Sequence, residues 1–206
     1  KLAIPVYFSA ENARTPERKS LDYIRKGQYE GLKALLEDPD HPDFEIRKPD
    51  ISVDGKLDSR MGGCTVSSDY EGLTAYNVYI ESEDTAVADK IARIVKNPET
   101  GWTSIKSIGF KDTGHRGTAV SMNVFDCANT PIAMLCDFVS KEAAKAGTRV
   151  IGTGIVGPVK LQYLIDSARQ FGYKFDGDYD ALVKCLEANM GLEGFEVSSI
   201  IEFHIE

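Results

Sequence analysis

The side chains of this 206-residue chain that could do chemistry are chiefly amides, hydroxyls and closely spaced glycines. Two asparagines and a serine stand out, because the segments around them alternate with the period of a strand. If Tyr76, Val78 and Ile80 face a core, Asn77 and Tyr79 face away from it; if Val120, Met122 and Val124 face in, then Ser121, Asn123 and Phe125 face out. Asparagine is depleted in strands, so two on neighbouring strands favour a polar binding face or a domain interface over a merely solvated surface. A second candidate is Met61-Gly62-Gly63-Cys64-Thr65-Val66-Ser67-Ser68. Consecutive glycines allow close approach of a ligand, and small hydroxyls bond it without bulk; with no lysine the stretch is not a P-loop. His41, His115 and His204 are isolated, and no HExxH, GxSxG or Ser/His/Asp pattern accompanies them. Cys64, Cys127, Cys136 and Cys185 have no metal-ligand or CxxC spacing, which reads as buried free thiols in a reducing cytoplasm with no metal.

The elements that must position these groups follow from periodicity and punctuation. Residues 74–81 read as a strand, and Asp84 caps a helix to about Lys96 with Val87, Ala88, Ile91, Ile94 and Val95 on one face. Strands over 103–112 and 118–127 join in a hairpin through Gly114 to Gly117. Thr130-Pro131 opens a helix carrying Ile132, Leu135, Cys136, Val139 and Ala143, Gly147 closes it, and 148–156 is a further strand. The order β-α-β-β-α-β predicts an α+β fold with a ferredoxin-like subdomain, its antiparallel sheet carrying both helices on one face. In that topology the strands of Asn77 and of Ser121 and Asn123 are central neighbours. Helices near 159–171 and 179–189 and a last strand near 197–205 extend it or cover an edge.

Before this unit, residues 2–8 read as an edge strand containing Pro5. A helix starts at Thr15-Pro16 and ends at Gly27, and a second runs from Tyr29 to about Leu36. Residues 38–60, rich in Asp, Pro and Gly, read as a long loop. The domain expectation is therefore 1–73 as the end of a preceding α/β subdomain plus linker, and 74–206 as a second subdomain with helical and strand extensions. The chain starts at Lys1 and enters an apolar segment at once, as a piece beginning mid-protein would. Such a piece exposes its partner faces, which predicts a homo-oligomer or a partner chain supplying the preceding segment. Composition is that of a soluble globular protein, 42% hydrophobic and 27% charged. A net charge of -8 argues against nucleic acid or an anionic membrane as partner, and no apolar run approaches a membrane span.

Several of these residues carry a family resemblance. Gly63-Cys64-Thr65-Val66, followed after eight residues by Ala75-Tyr76-Asn77-Val78, resembles the G-A-T-V and A-[FY]-N-[IV] stretches of formiminotransferase domains, the folate-dependent enzymes of histidine breakdown. Val120-Ser121-Met122-Asn123-Val124 is similar to their V-S-M-N-[LV] strand, and Ile155-Val156-Gly157 to their [LI]-V-G segment. Pro5-Val6-Tyr7, Thr15-Pro16-Glu17-Arg18 and Ile24-Arg25-Lys26-Gly27-Gln28-Tyr29-Glu30 resemble the family's P-V-Y, R-P-E-R and I-R-x-G-x-[YF]-E pattern.

The resemblance implies transfer of a formimino group between N-formimino-glutamate and tetrahydrofolate, the folate lying in a tunnel between two ferredoxin-like subdomains. It implies folate contact by Gly63, Cys64, Thr65, Val66, Ser67, Ser68 and Tyr70, and a tunnel face at Asn77, Ser121 and Asn123. It also implies a catalytic histidine in a His-Pro-Arg type motif upstream of these segments, and His41-Pro42 lies in a different context. Where many members continue the folate loop with G-A-R, this chain has Ser68-Asp69-Tyr70, so a cation is lost beside an anionic substrate. The alternative is a non-catalytic folate- or small-ligand-binding relative. A third reading, an RNA-binding sheet with Tyr79 and Phe125 as stacking rings, lacks the electrostatic footprint: residues 74–156 carry nine basic and nine acidic side chains.

Overall fold

A computed structural model describes residues 4–53, 55–57, 63–70, 72–100, 102, 104–114 and 117–205. They form two compact units, residues 1–71 and 72–206. Met61, Gly62 and His115, singled out in the sequence, lie outside the described residues.

The N-terminal unit is built on a parallel pair, β1 (Val6–Ala10) with β2 (Thr65–Asp69). Reading Gly63 to Ser68 as a loop was therefore incorrect from Thr65 onward: the segment becomes a strand by pairing with residues nearly sixty positions earlier, a partner that local propensity does not reveal. The single helix expected from Thr15 is instead a 3-10 turn, Pro16–Lys19, followed by α1 (Leu21–Arg25) with Ser20 at its N-cap. Gly27, with φ at +80°, separates α1 from α2 (Gln28–Leu36), a left-handed conformation that glycine adopts without the Cβ penalty. Tyr7, Ile24 and Leu32 form the small core, with Leu36, Leu57, Cys64 and Val66 against it.

Among the described residues, the 38–60 connection has no regular element, as expected, but part of it is buried. The Asp50 side chain is fully buried; its carboxylate accepts the Phe8 N–H at 2.6 Å, pairs with the buried Arg18 guanidinium, and meets the exposed Arg14 at 2.7 Å. Buried Arg47 donates to the carbonyls of Ile24 (2.9 Å) and Lys26 (2.6 Å), and the Tyr7 hydroxyl donates to the Arg47 carbonyl. The loop thus ties β1 to α1 through these bonds and the Asp50–Arg18 charge pair, which offsets the cost of burying both ions; the buried Arg18 Nε and Arg47 Nε have no hydrogen-bond partner among the described residues.

The C-terminal unit follows the expected order: β3 (Thr74–Ile80), α3 (Thr85–Val95), β4 (Ile105–Asp112), β5 (Gly117–Val124), α4 (Ile132–Lys145) and β6 (Val150–Val156). The antiparallel sheet has strand order β4-β5-β3-β6, so β3 and β5 are the central neighbours. Tyr76, Val78, Ile80, Val120, Met122 and Val124 are fully buried, against Ala88, Ile91, Ala92 and Val95 of α3 and Leu135, Val139 and Ala143 of α4. Asp84 caps α3 by accepting the Ala86 N–H. Helix α3 approaches the sheet closely at Gly109, where a Cβ would lie 2.3 Å from the Asp89 backbone nitrogen; only glycine permits that approach.

Two further helices, α5 (Leu161–Arg169) and α6 (Tyr179–Met190), pack beside α4. The strand expected over 197–205 does not form. Val197–Ser199 and Ile201–Phe203 are 3-10 turns, and only Ile200 makes a single bridge, to Val159. The free edge of β6 is met instead by Leu192, just after α6, through Thr153 N–H to the Gly191 carbonyl (2.8 Å) and Glu193 N–H to the Thr153 carbonyl (2.9 Å). Among the described residues no helix is long and apolar enough to cross a membrane.

Candidate functional site

In the N-terminal unit, the strand character of β2 divides the predicted site residues between two faces. Val66 and Ser68 pair with Tyr7 and Ser9 and turn toward the helices, whereas Thr65 and Ser67 pair with Val6 and Phe8 and are exposed on the opposite face. The Ser68 hydroxyl meets that of Ser9 in a short contact. Gly63, Cys64 and Val66 line a cavity of about 220 Å³ on the helical side, with Arg25, Tyr29 and Leu32. Burial pushes the Cys64 thiol above its ordinary value, so it stays protonated near neutrality and is a poor nucleophile. Nothing lies within 4 Å of a Cβ built on Gly63, and Tyr70 is half-buried just past the strand. A single surface therefore cannot be lined by the side chains of all of Gly63 to Ser68, because successive residues of β2 face opposite ways.

In the C-terminal unit the expected face is assembled. Period-two alternation places Asn77, Ser121 and Asn123 on the side of the sheet away from α3 and α4, with Asn77 directly opposite Ser121 and Asn123 opposite Ala75. The rows continue across the sheet: Ile108, Ser121, Asn77 and Gly154 form one, and Lys106, Asn123, Ala75 and Val156 the next. Ile108 and Val156, at opposite ends of these rows, are 63% and 60% exposed. The face is therefore an open polar surface of amides and a hydroxyl with exposed apolar residues at two diagonally opposite ends, suited to a flat molecule with its own donors and acceptors.

Tyr79 behaves differently from the expectation of a free stacking ring. It is only 9% exposed, and its phenol lies over Gly154, where a Cβ would come within 3.0 Å of the Tyr79 oxygen. Phe125 lies beyond the end of β5 and is half-buried. The aromatic platform on which the RNA reading rested is thus missing from this face.

Both described histidines are engaged with backbone. The His41 Nδ1 accepts the Asp43 N–H at 3.0 Å within the connecting loop, and the His204 ring is held at 2.7 Å from the Ser198 carbonyl in the C-terminal turns. Cys127 and Cys136 are buried in the core while Cys64 and Cys185 are only half-buried, so the expectation of four buried thiols held for two. Burial raises the Cys136 thiol and, more strongly, the neighbouring Tyr76 phenol. Both are core groups beneath the sheet, remote from its open side.

Sequence reasoning passed over Glu193. Its carboxylate lies over Gly152 on the open face, where a Cβ would come within 2.3 Å of it. The available signal was the pair Gly152 and Gly154 inside a strand, since interior strand glycines mark places where another group approaches the backbone.

Comparison with known proteins agrees with this division of the chain. The family profile described as formiminotransferase domain matches residues 75–206, and that of the formiminotransferase domain, N-terminal subdomain, matches residues 1–68. A glutamate formimidoyltransferase of Thermoplasma acidophilum is 32% identical over 209 aligned positions, covering 100% of this chain and 60% of the relative. One from Streptococcus pyogenes serotype M1 is 30% identical over 180, covering 87% and 57%. The formimidoyltransferase-cyclodeaminase of Gallus gallus is 28% identical over 203, covering 94% and 36%. The chain thus spans less than two thirds of the length of these relatives.

Proposed function

The chain belongs to the formiminotransferase domain family, and from this we propose that it binds tetrahydrofolate and serves formimino transfer between N-formimino-glutamate and the folate, in histidine degradation. Residues 1–73 then belong to the N-terminal formiminotransferase subdomain and its linker, and 74–206 form the C-terminal, ferredoxin-like one. Folate and glutamate-type molecules are its small-molecule partners, with homo-oligomerisation or a partner chain and a cytoplasmic location as further expectations. The observation that carries the reading is that the two family matches span both units, and that β3 and β5 of the second unit carry an amide-bearing open face.

In such a transfer an amine nitrogen of tetrahydrofolate takes the formimidoyl carbon, the bond to the glutamate nitrogen breaks, and that nitrogen leaves with a proton. This chain's contribution is orientation. On the C-terminal unit, Asn77, Ser121 and Asn123 bond the edges of a flat ring system; on the N-terminal unit, Thr65 and Ser67 of β2 present hydroxyls on the face away from the helices, and Gly63 lies just before that strand. Cys64, Val66 and Ser68, which face the helices, hold that strand in place. We assign the proton transfer to none of the described residues, because His41 and His204 are each engaged with local backbone. That observation favours a second reading, a folate-binding chain that does not itself turn over. The two are separated by incubating the protein with N-formimino-glutamate and tetrahydrofolate, measuring formimino-tetrahydrofolate by mass spectrometry, and titrating folate binding in parallel. Transfer supports the enzyme, binding without transfer supports the second reading, and absence of both overturns the folate assignment.

A further inference from the structure

The open face of the sheet carries opposite charges at two of its corners, and the backbone fixes where they stand. Leu192 bridges Thr153 in parallel register, and the Glu193 N–H donates to the Thr153 carbonyl at 2.9 Å. Leu192, like Thr153, is buried on the core side. Its neighbour Glu193 is thereby turned to the other side, and its carboxylate comes to rest over Gly152. Two separate features, main-chain register and the glycine that leaves room, place this acid at the β6 margin. Gly152 is one strand and two residues from Asn77, roughly 8 Å at the usual strand spacing and rise. Asp112, on the same face at the hairpin end of β4, is two strands and about four residues away, so Glu193 is the carboxylate nearer the amide floor.

The opposite corner is basic. Lys106 on β4 is exposed in the row of Asn123, three strands across and four residues along from Gly152. With about 4.8 Å between strands and about 3.4 Å per residue, the diagonal is roughly 20 Å. That is close to the extended length of a pterin joined through aminobenzoate to glutamate, whose two ends differ in chemistry. The aminopyrimidinone edge of the pterin presents adjacent N–H donors, the pattern a carboxylate accepts in paired fashion; the glutamate end presents carboxylates, which an ammonium attracts.

We propose that Glu193 and Lys106 fix the direction in which a reduced folate lies on this face. The aminopyrimidinone edge meets Glu193 at the β6 margin, the rings cross Asn77 and Ser121, and the glutamate tail meets Lys106 at the β4 margin. Glu193 is then a specificity-determining residue for any ligand with an amidine-like edge, and Lys106 for the tail alone. The assignment rests on the folate reading above.

Its test is calorimetric titration of wild type, Glu193→Gln and Lys106→Gln with 5-formyl-tetrahydrofolate and with the corresponding reduced pteroate, which lacks glutamate. Glu193→Gln keeps the main-chain bond to Thr153 and should weaken both ligands about tenfold or more; Lys106→Gln should weaken the folate and leave the pteroate unchanged. Gly152→Ala, whose Cβ would displace the carboxylate, should repeat the Glu193→Gln result, and an unchanged melting temperature in each variant excludes general unfolding. Binding of both ligands by wild type with no loss in Glu193→Gln, or with loss for the folate alone, overturns this orientation and leaves the folate reading standing. Binding of neither ligand by wild type overturns both.

Discussion

Asp50→Ala is the perturbation whose size follows most directly from the structure. The carboxylate is fully buried, accepts the Phe8 N–H at 2.6 Å, and neutralises Arg18, whose side chain is 4% exposed. Removing it leaves a buried guanidinium without its counter-charge, a loss of about 3–5 kcal/mol, and frees the Phe8 N–H, which by itself costs about 1–3 kcal/mol. The two overlap, because both groups relax around one vacated position, so the expected total is about 4 kcal/mol. The Arg14 contact adds little, since that side chain is 62% exposed. Phe8 lies at the centre of β1, against Ser67 of β2, so the loss falls on the strand pair that presents the candidate site. Urea denaturation followed by far-ultraviolet circular dichroism measures it. Arg18→Met in the Asp50→Ala background should recover part of the loss by removing the stranded charge. A change below about 1 kcal/mol, or no recovery in the double variant, would refute the account of residues 38–60 as an organised buried network.

Three other outcomes follow. Gly63→Ala should cost no more than about 0.5 kcal/mol of fold stability, because open space surrounds its Cβ position; a fall of more than about tenfold in affinity for a reduced folate would then report ligand contact at Gly63, and equal affinity would remove it from the site. Gly109→Ala should destabilise by about 1–3 kcal/mol or more, because the new methyl meets the backbone of α3, and an unchanged melting temperature would contradict the close approach at Asp89. Burial raises the Tyr7 phenol above its ordinary 10.0. The unfolded chain therefore releases that proton first, and the associated stability is full below pH 10 and declines as pH rises through the ordinary value toward the folded one. Tyr7→Phe should flatten that alkaline decline in denaturation midpoints between pH 8 and about 11.5, while lowering stability at neutral pH through loss of the bond to Arg47.

The C-terminal unit was legible because its signals are local. The stripe Ala88, Ile91, Val95 has helical period, Asp84 is a side-chain cap, and alternation in the segments of β3 and β5 sorts the two sheet faces, so Asn77, Ser121 and Asn123 could be placed together from the sequence alone. The N-terminal unit was less legible because its decisive contacts are distant. Thr65–Asp69 is polar and reads as loop until Val6–Ala10 is set beside it, and a run of Asp and Pro looks solvated until Asp50 is seen beneath Arg18. The tail misled in the opposite sense. Val197, Ile200, Ile201 and Phe203 supply strand-like apolar residues, yet the edge they would have paired with is already met by Leu192, and the chain closes into 3-10 turns. Glu193 escaped notice for a related reason: its place depends on register with Thr153, and its trace in the sequence was a glycine on another strand.

The central claim is that the face of β3 and β5 opposite the helices receives a reduced folate. Amide chemical-shift mapping of the isotope-labelled protein during titration with 5-formyl-tetrahydrofolate tests it most directly. The prediction is saturable shifts at Asn77, Ser121 and Asn123, in backbone and side-chain amides, with Gly152 and Gly154 following and Ile91, Leu135 and Val139 on the helical side unmoved. Saturable shifts confined to α3 and α4, or no shifts at millimolar ligand, would contradict it.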